Sequence, residues 1–153
     1  MKQVLFCAGA FLLLLACNKD KFQTKPQLKL VSVNNTVVPI NGLLNVVLEF
    51  TDKEGDVSDT LYITKQRLNA RTTTTIRDTL EYAIPEFPKT SQGQFELNLS
   101  YQNELISAEA PPRIPGSDPP QYEPDTLSIK FLVKDKGNNK SDSIILDNIV
   151  VLR

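Results

Sequence analysis

Asp52, Glu54 and Asp56 place three carboxylates at alternate positions on a turn that Gly55 relaxes. Hard cations such as calcium take several oxygen ligands of this kind, so Ca2+ coordination is the chemistry these residues suit. An EF-hand is not the mode, because its bidentate acid belongs eleven residues after Asp52, where the chain has Ile63. Further along, Asp135, Asn138 and Asn139 supply another group of side-chain oxygens. Both groups are equally good turn formers, since Asp, Asn and Gly accept the backbone conformations of tight turns. Other chemistry is narrowed by absence. Histidine is missing, which excludes Ser-His-Asp and Cys-His catalysis and histidine-based metal sites. Tryptophan, the best stacking surface for sugars, is missing too. Eighteen acidic residues guarantee neighbouring carboxylates, but no spacing selects a pair for acid/base hydrolysis of sugars. The expectation is a protein that is not an enzyme.

The segments that carry these residues have a period of two. Leu44, Val46, Leu48 and Phe50 alternate with Asn45, Val47, Glu49 and Thr51. Phe95, Leu97, Leu99 and Tyr101 repeat the pattern, as do Leu127, Ile129, Phe131 and Val133. Such alternation marks strands with one face on a core and one toward water. Shorter strands are expected over residues 28–33, 61–68, 72–80 and 143–152, with the threonine run 72–75 at a sheet edge. Asn34-Asn35, Asn41-Gly42 and Lys136-Gly137-Asn138-Asn139 provide turns between them. Several strands and no helical face predict an all-β antiparallel sandwich. If residues 44–51 and 127–134 are its second and sixth strands, the loops after them leave from the same end. Asp52, Glu54 and Asp56 would then face Asp135, Asn138 and Asn139 in one shared calcium site. The N-terminal tether would leave beside these acids. The proline-rich segment 110–124 would lie at the far end as an irregular connector or recognition loop, with six of the chain's 10 prolines.

Lys2 and the apolar run from Val4 to Ala16 have the form of a bacterial export signal, too short for the roughly 18 apolar residues of a membrane span. Leu14-Leu15-Ala16-Cys17 resembles the lipobox of bacterial lipoproteins, in which the cysteine is acylated and becomes the first residue. The organisation that follows is a signal peptide over 1–16, an acylated flexible tether over 17–26, and one sandwich domain over 27–153. Removal of Lys2 with the signal takes the formal charge from −1 to −2. Arg67, Arg71, Arg77, Arg113 and Arg153 are dispersed, and no basic patch for nucleic acid emerges. Cys7 leaves with the signal, so packing rather than disulfides must stabilise the domain.

Phe50-Thr51-Asp52-Lys53-Glu54-Gly55-Asp56 resembles the FTDxxGD segment of small Bacteroidetes lipoproteins, and Asp135-Lys136-Gly137-Asn138-Asn139-Lys140-Ser141 is similar to the DxxGNxS hairpin of bacterial Ig-like domains. The resemblance implies an immunoglobulin-like or fibronectin-like sandwich. Asn18 after Cys17 favours the outer membrane, and Lys19-Asp20-Lys21 partly resembles that lineage's surface-export signal, with Lys21 in place of its second acid. Asp59-Thr60-Leu61, Asp78-Thr79-Leu80, Asp125-Thr126-Leu127 and Asp142-Ser143-Ile144 resemble its O-glycosylation acceptor, which makes Thr60, Thr79, Thr126 and Ser143 candidates. The same triplets also begin strands well, with a turn former before a residue suited to a pleated surface. The expected function is an outer-membrane-anchored interaction or structural module with an envelope protein partner. The alternative is a surface glycan binder using Tyr82, Phe87, Tyr101 and Tyr122. A proline-lined or apolar patch would favour the protein partner, and two coplanar tyrosines the glycan.

Overall fold

A computed structural model describes residues 24–153. The export signal and Cys17 lie outside the described residues. Eight strands follow one another: β1 (Gln27–Val33), β2 (Val37–Val38), β3 (Leu43–Thr51), β4 (Thr60–Arg67), β5 (Thr79–Ala83), β6 (Gln92–Ser100), β7 (Asp125–Lys134) and β8 (Ile144–Val151). They form a three-stranded sheet, β1-β3-β6, and a five-stranded sheet, β2-β8-β7-β4-β5. All pairings are antiparallel except that of the short β2 with β8. The expected all-β sandwich is what forms.

Alternation explains why. The inward residues of β3 (Leu44, Val46, Leu48, Phe50) and of β7 (Leu127, Ile129, Phe131, Val133) are buried, while their neighbours reach the surface. Leu61 and Ile63 of β4, Leu99 of β6 and Leu146, Ile149 and Val151 of β8 join them in the core, with Val38, Val57 and Leu105. A fully buried side chain of this kind contributes about 1.5–3 kcal/mol relative to exposure. Phe50 stacks on Phe95 at 4.8 Å and also meets Phe87 at 5.9 Å. Gly93 makes room for this, because a Cβ there would lie 2.6 Å from the Phe50 ring.

Two expectations are corrected. The threonine run 72–75 is not a strand; β5 begins only at Thr79, after Arg77 adopts a positive φ of 50°. The run instead follows residues 107–110, through Ile76 N–H to Ser107 O (2.9 Å), Glu109 N–H to Thr74 O (2.9 Å) and the Thr73 hydroxyl to Ala110 O (3.1 Å). Its polar side chains suit a solvated edge, but its neighbour is irregular backbone. Tyr101 does not extend β6; it opens a π-helical turn, Tyr101–Leu105, capped by the Ser100 hydroxyl and by Glu104.

The register defines two ends. Gln27 pairs with Thr51, Thr51 with Gln92, and Thr60 with Lys134, so the loops 52–59 and 135–143 share one end with residues 24–26. Lys25 reaches Asp142 at 2.6 Å there. At the other end Leu43 pairs with Ser100 and Asp125 with Val151, and the segment 106–124 lies beyond them. This segment is less irregular than its composition suggests. Arg113 and Tyr122 form a bridge, closed by Ile114 N–H to Gln121 O and Glu123 N–H to Pro112 O, both 2.8 Å.

Candidate functional site

At the end where residues 24–26 enter, Asp52, Asp56 and Asp135 each offer an oxygen within 4.8 Å of the others. Asp52 lies one position past β3 and Asp135 one past β7, so both continue the inward alternation and both are fully buried. Gly55, at φ +67°, folds the loop back toward Thr90, and Asp56 N–H then donates to Asp52 Oδ2 at 3.1 Å. The two loops are joined by Lys136 N–H to Asp56 O at 3.1 Å. Asp135 is oriented by Asn139, whose backbone N–H donates to Oδ1 at 2.7 Å and whose side-chain amide donates to Oδ2 at 2.9 Å.

Burial first, then the side-chain hydrogen bond and charge of neighbouring Asp52, push the Asp56 carboxyl above its ordinary range, against smaller opposing effects of a backbone hydrogen bond and of Lys89. Asp52 Oδ1 and Asp56 Oδ1 are buried and accept no hydrogen bond among the described residues. Of the six residues expected here, three therefore converge. Glu54 is exposed and outside the cluster. Asn138, exposed at φ 65°, serves the turn, and Asn139 holds Asp135.

The four Asp-hydroxyl-aliphatic triplets all stand at strand starts: β4 begins at Thr60, β5 at Thr79, β7 at Asp125 and β8 at Ile144. Thr79 and Ser143 are exposed, whereas Thr60 and Thr126 are half-buried within strands. Their aspartates have separate structural tasks. Asp59 pairs with Lys134 at 2.8 Å, Asp142 with Lys25, and Asp78 O accepts Lys65 N–H at 2.7 Å.

Asp125 has a role that its triplet did not suggest. It is fully buried at the distal end and accepts from Arg67 Nε (3.0 Å), Arg153 Nη1 (2.7 Å), Ser107 N–H (2.8 Å) and Ala108 N–H (3.0 Å). Burial alone would raise its pKa. The N–H donors of Ser107 and Ala108, with Arg67 and Arg153, outweigh burial and hold the carboxyl below its usual range. Arg153 also donates to Ala108 O, Arg71 pairs with Glu123 at 2.9 Å, and Asn69 binds Pro124 O and Thr126 N–H. The proline segment is thus clamped to the ends of β4, β7 and β8. Lys65, on the inward face of β4 and 4 % exposed, donates to Glu104 O and Ile106 O. Burial first, then Arg77, lowers its pKa to about 8.

The clamp shapes an open cavity of about 380 Å³ between the proline segment and the chain end, lined by Ile40, Ile114, Pro120, Tyr122, Pro124 and Leu152, with Arg153. Ile40 is 56 %, Tyr122 48 % and Leu152 40 % exposed. The four aromatics considered for sugar stacking do not assemble with one another. Tyr122 is on this cavity, Phe87 packs on Phe50, Tyr82 donates to Glu104, and Tyr101 is half-buried in the π-helical turn. Compared with known proteins, the chain matches no protein-family model, no curated protein and no solved structure.

Proposed function

We propose that this chain is a lipid-anchored, immunoglobulin-like sandwich of a bacterial outer membrane that acts as a non-enzymatic interaction module and offers its distal end to an envelope protein. The observation that carries this reading is the proline-lined cavity of Ile40, Ile114, Pro120, Tyr122, Pro124 and Leu152, with Gln121 and Arg153 as its polar members, opposite the end where residues 24–26 enter. An acyl anchor on Cys17 would place the carboxylate end toward the lipid and leave this cavity facing outward. Each buried CH₂ of such an anchor contributes about 0.8 kcal/mol, and two chains hold a protein stably where one does not. Proline and Tyr122 suit protein recognition because they present apolar area with little side-chain entropy to lose. The strand order is compatible with an immunoglobulin-like arrangement, with β3 and β7 in facing sheets. Exposed Thr79 and Ser143 are the hydroxyls best placed for O-glycosylation in that compartment; an intact mass equal to the bare acylated chain would remove that part.

The test is site-specific photo-crosslinking in native outer membranes, with the photoreactive residue at Tyr122 or Leu152 and, as control, at Lys29 on β1. A stoichiometric protein adduct from the distal positions alone is the expected result. Recovery of polysaccharide without a protein adduct would overturn the protein-partner reading in favour of glycan binding. Absence of the chain from the membrane fraction would overturn the anchoring.

A further inference from the structure

The three acids at the end where residues 24–26 enter are a poor arrangement for a protein to keep unless something positive sits among them. Asp52 and Asp135 are fully buried, Asp56 is half-buried, and among the described residues none of the three has an ion-pair partner. Burying a carboxylate is costly unless it is paired, hydrogen-bonded or metal-bound. The contrast with the distal end is informative. Asp125, equally buried, has four donors on its two oxygens. Asp52 has only Asp56 N–H on Oδ2, and its Oδ1 accepts nothing among the described residues.

We propose that Asp52, Asp56 and Asp135 bind a divalent cation of the calcium class, which bridges the β3–β4 and β7–β8 loops. Two independent features point to a ligand: three oxygens from two loops lie within 4.8 Å of one another, and a fully buried carboxylate oxygen is unpartnered in that cluster. A cation with oxygens at about 2.4 Å fits between ligands so spaced. Calcium is favoured over magnesium because it accepts irregular oxygen sets, whereas magnesium demands near-ideal octahedral geometry at roughly 2.0–2.1 Å. The surrounding structure supports the ligands it needs. Asn139 aims Asp135, and Gly55 lets the loop turn so that Asp56 meets Asp52. Because one loop follows β3 of the first sheet and the other follows β7 of the second, the ion would act as a clasp across the sandwich.

The experiment is calorimetric and thermal titration of the chelator-treated full chain in detergent, with calcium chloride and magnesium chloride separately. Calcium is expected to bind in the range of about 10⁻⁴–10⁻³ M typical of extracellular modules. At a hundredfold excess over Kd it should raise Tm by roughly 5–10 °C, with a smaller magnesium effect. D52N should weaken calcium at least about tenfold, whereas E54Q, which removes an exposed acid of the same loop, should keep wild-type binding. If D52N does not fold, D56N replaces it. No calcium heat and no Tm shift in the wild type up to about 10 mM would overturn the proposal. Equal loss in E54Q and D52N would overturn the assignment as well, since it would show general attraction to an acidic surface.

Discussion

Replacing Asp125 by Asn should destabilise the domain more than its small change in shape suggests, and most of the damage should be local to the proline segment. The substitution leaves Arg67 and Arg153 without their shared counter-charge; their side chains are only 5 % and 10 % exposed, so water cannot take over. Arg67 retains Glu123 at 3.6 Å, a longer contact, and the new amide would point N–H groups at guanidinium N–H groups. Removing one partner of a buried ion pair costs about 3–5 kcal/mol. For a domain of this size that corresponds to a Tm lower by roughly 10–15 °C, measured by circular dichroism. The pH dependence should change with it. The folded pKa of Asp125 is lowered, so its contribution is complete above the unfolded value and is lost as pH falls through the folded one. D125N should lack that acid limb. Hydrogen exchange supplies the local reading, because the amides of Ser107 and Ala108 donate directly to this carboxylate. A Tm within about 3 °C of wild type, with both amides still protected, would refute the assignment of Asp125 as the group that holds the segment.

Lys65 should produce an effect of the same sign in the alkaline range. Its folded pKa of about 8 lies below the ordinary 10.5, so the folded state releases its proton first and stability rises as pH climbs from about 8 to 10.5. Urea denaturation across that window should show the rise, on the order of 3 kcal/mol, and K65M should abolish it; an unchanged slope in K65M would assign the effect elsewhere. Gly55→Ala should lower stability by about 1–3 kcal/mol, because it combines a positive φ with a Cβ about 3.0–3.2 Å from Thr90 backbone atoms. Equal midpoints in urea for G55A and wild type would show that the loop can rearrange. Truncating Phe131, fully buried in β7, should cost about 3–5 kcal/mol on the same measurement, and a loss under about 1 kcal/mol would mean that the core collapses around the gap.

Much of the architecture is legible in residue parity. In β3, β6 and β7 the alternation of apolar and polar residues gave the strands, the inward face and thus the sandwich, because side chains on a strand point to opposite sides in turn. Parity carries further than the apolar residues. Counting by twos from Phe50 reaches Asp52, from Leu127 back reaches Asp125, from Val133 reaches Asp135, and from Ile63 reaches Lys65, and all four charged residues are buried. That signal was present in the chain for Asp52 and Asp135, each one position past a strand; Glu54 has the same parity as Asp52 but lies further into the loop, where strand alternation no longer applies. The threonine run misled because β-propensity describes fit to a pleated surface, whereas the run's neighbour is the irregular backbone of 107–110.

Residue type and local spacing suffice for the long strands, their inward parity, the absence of histidine chemistry and the resemblance of Leu14-Leu15-Ala16-Cys17 to a lipobox. Which inward charges meet is a property of the assembled fold. Asp52, Asp56 and Asp135 come together because antiparallel strands in facing sheets deliver the 52–59 and 135–143 loops to one end. Asp125 meets Arg153 because β7 starts where β8 finishes. Whether a buried carboxylate finds two guanidinium groups or two other carboxylates depends on contacts between residues far apart in the chain, which no local pattern encodes. That difference separates a structural clamp at one end of this sandwich from a cluster of three carboxylates at the other.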